Sequence, residues 1–178
     1  MKLKKVIKTI IVIISAFVLV APILFYGKIY KNYNSVKGYI FASCEKYEVS
    51  KNLVISVAYV ESKFDSKVVS KKGATGVMQI MPSTFNFVVE KYAIVGLNDI
   101  CNAKTNIEVG VVYLKYLLIK YNSEVIALAS YNAGEGNVCK WLENGELKVE
   151  KIPFKETYNY VKRVMKIKTY LDRKVANS

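Results

Sequence analysis

The sequence predicts a mainly α protein: one helical domain of moderate size carried behind an apolar N-terminal helix. Three observations point there. From residue 41 onward only two prolines occur, Pro82 and Pro153, so little interrupts helix propagation. Apolar residues recur at helical spacing, with no convincing β alternation, internal repeat or low-complexity tract. An uncharged run, IIVIISAFVLVAPILFY from Ile10 to Tyr26, lies between lysine-bearing flanks.

That run is 17 residues long, at the low edge of a bilayer span and longer than most signal-peptide cores. No small-x-small signature closes it; Phe25, Tyr26 and Lys28 stand there instead. It therefore reads as an uncleaved anchor, with a cleaved signal peptide and secretion as the second reading. A buried core helix fits less well, because the run is apolar on every face. Lys2, Lys4, Lys5 and Lys8 outweigh Lys28, Lys31 and Lys37, which puts the N-terminus in the cytoplasm and the rest outside. The expected order is a basic cytoplasmic tail (1–9), a transmembrane signal anchor (10–27), a juxtamembrane linker (28–40) and a folded domain (41–178). Tyr26, Tyr30 and Tyr33 suit a membrane interface. Drawn out, the linker would reach about 45 Å.

Within the domain, Ser50 is expected to cap a helix over Asn52 to Glu61. Thr105-Asn106-Ile107-Glu108 fits a capping box, after which Ile107, Val111, Leu114 and Leu118 share one face. Ser123 is placed to cap EVIALASYNA, and Gly134 to stop it. From Glu156, an amphipathic helix carries Tyr160, Val161, Val164, Ile167 and Leu171 on its apolar side. Two glycine-bearing loops, residues 70–83 and 132–137, match neither phosphate-binding pattern and are expected to make tight turns.

Composition excludes several chemistries. The chain has no histidine, so Ser-His-Asp triads, Cys-His pairs and His-bearing zinc sites are impossible. Cys44, Cys101 and Cys139 are too scattered for a thiolate site and are expected to be small buried residues. No metal or cofactor is expected. The net charge of +13 is concentrated early, with seven lysines and no acid in the first 40 residues. A basic surface suits any polyanion; by itself it does not choose among nucleic acid, anionic lipid and cell-wall polymer.

One carboxylate then stands out. Leu53, Val54, Ile55, Val57, Ala58 and Val60 lead directly into Glu61 near its helix end. Desolvation by Val57, Val60 and Phe64 disfavours the ionised form, and so does the negative pole of the helix. A carboxyl kept protonated near neutral pH is a general acid, and glycosidic cleavage is the reaction that most needs one. A second carboxylate is not obvious. Asp65 is nearby, but the helix should break around Ser62 to Phe64, leaving Asp65 to brace the following loop.

Five segments in order carry a resemblance: ESKF at 61–64, GATGVMQIMPST at 73–84, NIEVGVVYLKYLL at 106–118, ALASYNAGEGNV at 127–138 and IPFKETYNYVKRV at 152–164. Over roughly residues 41–173 the chain resembles the soluble-lytic-transglycosylase family. The resemblance implies a single lysozyme-like α-helical domain of the goose-type kind. It also implies cleavage of the MurNAc–GlcNAc bond of peptidoglycan without water, with Glu61 as acid and then base and the muramyl C6 hydroxyl as nucleophile. By the same resemblance Met78, Gln79 and Met81 line the cleft, and Tyr131 and Asn132 stand beside the acid. Glu156 lies near the cleft in a binding or structural role; Ser70 and Tyr158 are weaker sugar contacts. For Met78 and Met81 taken singly, core packing is the simpler reading. Asp65-Ser66, Val77 and Ser130 depart from the commonest family pattern, which bears on substrate preference.

Expected partners are glycan strands, the cell membrane and an envelope-spanning assembly; nucleic acid is not expected, since no reading motif accompanies the charge. Two rivals remain at this level. One is a lysozyme-like hydrolase on the same fold, using Asp65 or a distant acid. The other is a non-catalytic wall-binding or assembly factor.

Overall fold

The computed structural model describes residues 2–94, 96, 98–143, 145 and 147–177, with side chains described from Val20 onward. Helices follow one another as α1 (Lys2–Tyr47), α2 (Lys51–Ser62), α3 (Pro82–Lys91), α4 (Ala103–Tyr121), α5 (Glu124–Ala133), α6 (Glu135–Leu142) and α7 (Lys155–Ala176). A 3₁₀ turn over Val149–Lys151 precedes α7. Among the described residues the only β-type pairing is a pair of isolated bridges, Val69 with Thr75 and Thr75 with Ile80.

α4 is the axle. Its sequence suggests one apolar face, yet every residue from Thr105 to Leu114 is buried, because α1, α3 and α5 all pack on it. α2 lies against α7 and α1, and α7 also touches α5. Leu53, Val57, Ile107, Leu114, Leu128 and Val161 have almost no exposure and share one core. Truncating such a leucine to alanine typically costs about 2–5 kcal/mol.

The helix boundaries follow local chemistry. Ser50 caps α2, its hydroxyl accepting the Leu53 N–H at 3.4 Å, and Ser123 caps α5 through the Ile126 N–H. The expected capping box is displaced, however. Asn102 caps α4, its Oδ1 accepting from the N–H groups of Lys104 and Thr105, and Thr105–Glu108 lies inside the helix. An Asx cap three residues upstream satisfied the orphan N–H groups first. Glu108 accepts instead from Lys46 Nζ and the Tyr47 hydroxyl, both at 2.7 Å.

The stretch 28–40, expected as a linker, is helical and continuous with α1. Val36 and Ile40 are buried, so α1 enters the core directly. A helix of that length spans about 20 Å, not the about 45 Å of extended chain. The cysteines also divide: Cys44 is buried as expected, whereas Cys101 and Cys139 are exposed. Most of the expected transmembrane run lies outside the residues whose side chains are described. Among those described, no helix is long and apolar enough to cross a membrane.

Candidate active site

α2 delivers Glu61 one residue before its end at Ser62. Lys63 and Phe64 both adopt left-handed conformations, with φ of 53° and 63°, and turn the chain away. Asp65 then stabilises the turn: its Oδ1 accepts the Lys67 N–H at 3.0 Å, and its Oδ2 pairs with Lys28 at 3.2 Å. It braces the loop, as its position in sequence suggested.

The loop that follows is seated on α4 by one buried amide. Asn106 Oδ1 accepts the Met78 N–H at 2.8 Å, and its Nδ2 donates to the carbonyls of Thr75 at 2.8 Å and Ile100 at 3.1 Å. Gly76 permits this close approach. Its φ is +78°, and a Cβ there would lie 2.7 Å from the Asn106 side chain. Gly110 of α4 makes the matching space for Met78, whose Cβ would be 2.7 Å from any methyl at that position. Met78 is accordingly a core residue, the simpler of its two readings, and is not on the cleft wall where the resemblance put it. Its carbonyl still matters, accepting the Tyr131 hydroxyl at 2.9 Å.

A cleft of about 610 Å³ opens between this loop, the end of α2, the α5–α6 junction and the start of α7. Glu61, Ser70, Gln79, Met81, Tyr131 and Asn132 reach its wall, as does the exposed Glu156. Met81 is 37% exposed, which separates it from Met78. Gln79 is held by donating to the carbonyls of Gly76 at 2.9 Å and Val68 at 3.1 Å. Ser70 Oγ accepts the Ala74 N–H. Asn132 Oδ1 accepts from the buried Thr157 hydroxyl at 2.8 Å, which ties α5 to α7. Tyr158 is absent from the cleft wall; its hydroxyl accepts from Lys162 of the next turn.

A second hollow of about 300 Å³ shares Glu61, Asn132 and Glu156 with the first and adds Val60, Asn159, Tyr160 and Arg163. The acid thus stands where two hollows meet. Sequence reasoning placed Tyr160 on a core face and left out Tyr113, Arg163, Lys71 and Lys72. Helical periodicity marks Tyr160 as buried but does not reveal which group its hydroxyl meets.

The Glu61 carboxyl is pushed up to about 7. Burial is the main cause: the side chain reaches the cleft, but its carboxyl is crowded by protein atoms. The Tyr160 hydroxyl opposes the shift as a hydrogen-bonding neighbour, and the Glu156 charge adds to it. The Tyr160 contact is loose, since that buried hydroxyl completes no hydrogen bond of good geometry. Burial, then the Glu61 charge, likewise hold the Tyr131 and Tyr160 phenols well above their usual range. Both therefore remain neutral, and Tyr131 donates to the Met78 carbonyl. Desolvation outweighs the other two influences.

Similar proteins carry the same domain. Over 157 residues the chain is 35% identical to the soluble lytic murein transglycosylase of Escherichia coli K12, covering 83% of this chain and 23% of that protein. It is 33% identical over 99 residues to the membrane-bound lytic murein transglycosylase E of Buchnera aphidicola (Acyrthosiphon pisum), covering 52% of this chain and 42% of that one. The crystal structure of the 70-kDa soluble lytic transglycosylase in complex with bulgecin A superposes with a TM-score of 0.73 at 34% identity, covering 78% of this chain and 24% of that chain. This chain therefore spans about a quarter of the length of the first relatives it matches. The transglycosylase SLT domain profile matches residues 38–152, more than half of the sequence, and the chain belongs to that family.

Proposed function

We propose that this chain is a membrane-anchored peptidoglycan lytic transglycosylase. It cleaves the MurNAc–GlcNAc β-1,4 bond without water and leaves 1,6-anhydromuramic acid ends. The observation that carries the reading is Glu61: a carboxyl raised to about 7 in an open cleft, with hollows on either side for the sugars flanking a bond. Near neutral pH a large fraction is protonated and can donate to the glycosidic oxygen as the C1–O bond breaks. The resulting carboxylate takes the proton from the muramyl C6 hydroxyl, whose oxygen closes on C1. That nucleophile is already tethered, so no water needs to be activated.

The other cleft residues have binding roles in this scheme. Gln79, with its amide N–H groups committed to backbone carbonyls, presents its oxygen to sugar hydroxyl or N-acetyl groups. Met81 offers an apolar face, and Ser70, Asn132 and Glu156 supply polar contacts. Tyr131, anchored to Met78, borders the reacting centre. The apolar run from Ile10 to Tyr26 supports anchoring with the domain outside the cytoplasm, and a membrane-bound relative supports the same placement.

Digestion of purified peptidoglycan by the full chain in detergent, followed by mass spectrometry, tests the reaction. Products one water lighter than hydrolysis products, and lost with Glu61→Gln, are expected. Reducible muramic ends would instead establish a hydrolase and direct attention to Glu156 as the water-activating carboxylate. Folded wild type that cleaves nothing would leave a wall-binding factor.

A further inference from the structure

A further concavity lies away from the cleft, where the middle of α1 passes α2 and the C-terminal half of α7. It holds about 540 Å³ and is lined by aliphatic and aromatic side chains, among them Tyr26, Tyr30 and Tyr33 of α1, Tyr59, Phe64 and Tyr170. Tyr26, Tyr30 and Tyr170 are 65%, 70% and 59% exposed. Large exposed aromatics gathered in one apolar groove are uncommon on a surface that meets only water. The cleft chemistry does not use them.

Three features identify what covers the groove. The first is continuity. α1 is unbroken, so the groove begins where the apolar run ends at Tyr26, and Ile23 and Leu24 just before it are also largely exposed. Tyr26 to Tyr33 climbs about 10 Å along the helix, the scale of a bilayer headgroup layer. The second is side-chain type, since tyrosine joins an apolar ring to a polar tip and favours that layer. The third is charge. Lys63 Nζ lies 5.8 Å from the Tyr59 ring and Lys174 Nζ 5.8 Å from the Tyr170 ring, so the groove walls carry cations; exposed Lys31 follows on α1, whereas Lys28 is paired with Asp65.

We propose that this groove is a lipid-docking surface that seats the folded domain on the headgroup–acyl boundary of an anionic phospholipid membrane. The inference rests on the membrane-anchored part of the function proposed above and adds to it. The bilayer holds the C-terminal part of α7 as well as the N-terminal run. Because α1 passes rigidly into the core through Val36 and Ile40, the domain lies flat on the membrane at a fixed height.

The unmodified full chain, reconstituted in phosphatidylcholine–phosphatidylglycerol vesicles, is the test. The phosphatidylglycerol carries a photoactivatable diazirine near the headgroup end of its acyl chain. Flotation reads the anchor, and mass-spectrometric mapping of lipid adducts reads the groove. Adducts are expected both on Tyr26–Tyr33 and on the α7 segment Ile167–Lys174, more than 100 residues away in sequence. Replacing Lys63 or Lys174 by Gln should lower the α7 adducts by roughly fivefold per lysine, and the yield should fall likewise in vesicles of phosphatidylcholine alone. Flotation with adducts confined to α1 would overturn the proposal and leave the anchor standing. Adducts spread equally to the Cys139 region would show a tumbling domain and also overturn it. With a bifunctional lysine cross-linker added in a parallel sample, protein–protein cross-links through α7 without lipid adducts would assign the groove to a second copy, again overturning it. Failure to float would remove anchor and groove together. None of these readouts depends on catalysis, so a failure here is separate from a failure of the proposed reaction.

Discussion

Glu61→Gln should stabilise the protein at alkaline pH while abolishing its reaction. In the folded chain the Glu61 carboxyl sits at about 7 against an ordinary 4.5, chiefly because burial penalises its charge. The folded state therefore holds this proton more tightly than the unfolded state. Stability falls as pH rises from 4.5 to about 7 and is flat beyond. At about 1.4 kcal/mol per tenfold change in proton affinity, the displacement corresponds to on the order of 3 kcal/mol. Because part of the side chain reaches the cleft, about 2–3 kcal/mol is the realistic range. For a chain of this length, that is roughly 4–12 °C in Tm. The assay is thermal unfolding of wild type and variant in detergent between pH 4 and pH 8.5. Near pH 4 both states of the wild type are protonated, so only a small fixed offset from the amide should separate the proteins. The gap should open in favour of the variant through pH 4.5–7 and then level off. A gap that does not change with pH, or one that favours wild type above pH 7, would refute the argument that burial of this carboxyl opposes folding.

Two neighbours should move the catalytic pH profile in opposite directions. Glu156→Gln removes a charge that raises the Glu61 pKa, so the alkaline limb of kcat/KM should shift to lower pH. Tyr160→Phe removes a hydroxyl that lowers it, so the limb should shift to higher pH. Shifts of the same sign would disprove this account of the carboxyl. Asn106→Leu strands the Met78 N–H and the Ile100 carbonyl, at about 1–3 kcal/mol for each orphaned group, while the Thr75 carbonyl keeps the Ile80 N–H at 3.0 Å. Its urea midpoint should fall by an amount equivalent to at least about 2 kcal/mol. Gly76→Ala should cost clearly more than Gly73→Ala, because both have positive φ but only Gly76 faces the Asn106 side chain. Equal costs would mean that the loop yields.

The candidate site was legible where its signal is local and chemical. Glu61 stood out as an acid ending an apolar helix, but that pattern alone also fits an ordinary helix end, and the ordered motifs around it singled it out; the helix break after it followed from the polar residues beyond. Ser50 and Ser123 act as caps because capping depends on three or four consecutive residues. Local rules misled where two such signals competed, as when Asn102 capped α4 ahead of the Thr105 box. Met78 and Met81 show the limit of motif reasoning. They are three residues apart in one loop, yet Gly110 opens a core space for the first and the turn at Gln79 sends the second outward.

By itself the sequence determined the helical class, the absence of histidine chemistry, the apolar N-terminal run, the acid and the order of the motifs. These depend on residue type and spacing along the chain. Tertiary structure decided what those residues meet. It buried α4 on every side from Thr105 to Leu114, placed the Tyr160 hydroxyl and the Glu156 charge around Glu61, and raised the pKa of that carboxyl. It also carried α1 through residues 28–40 into the core and opened an aromatic groove against α7. Desolvation and charge coupling are set by atoms brought close across long sequence separations, and no local pattern encodes those distances.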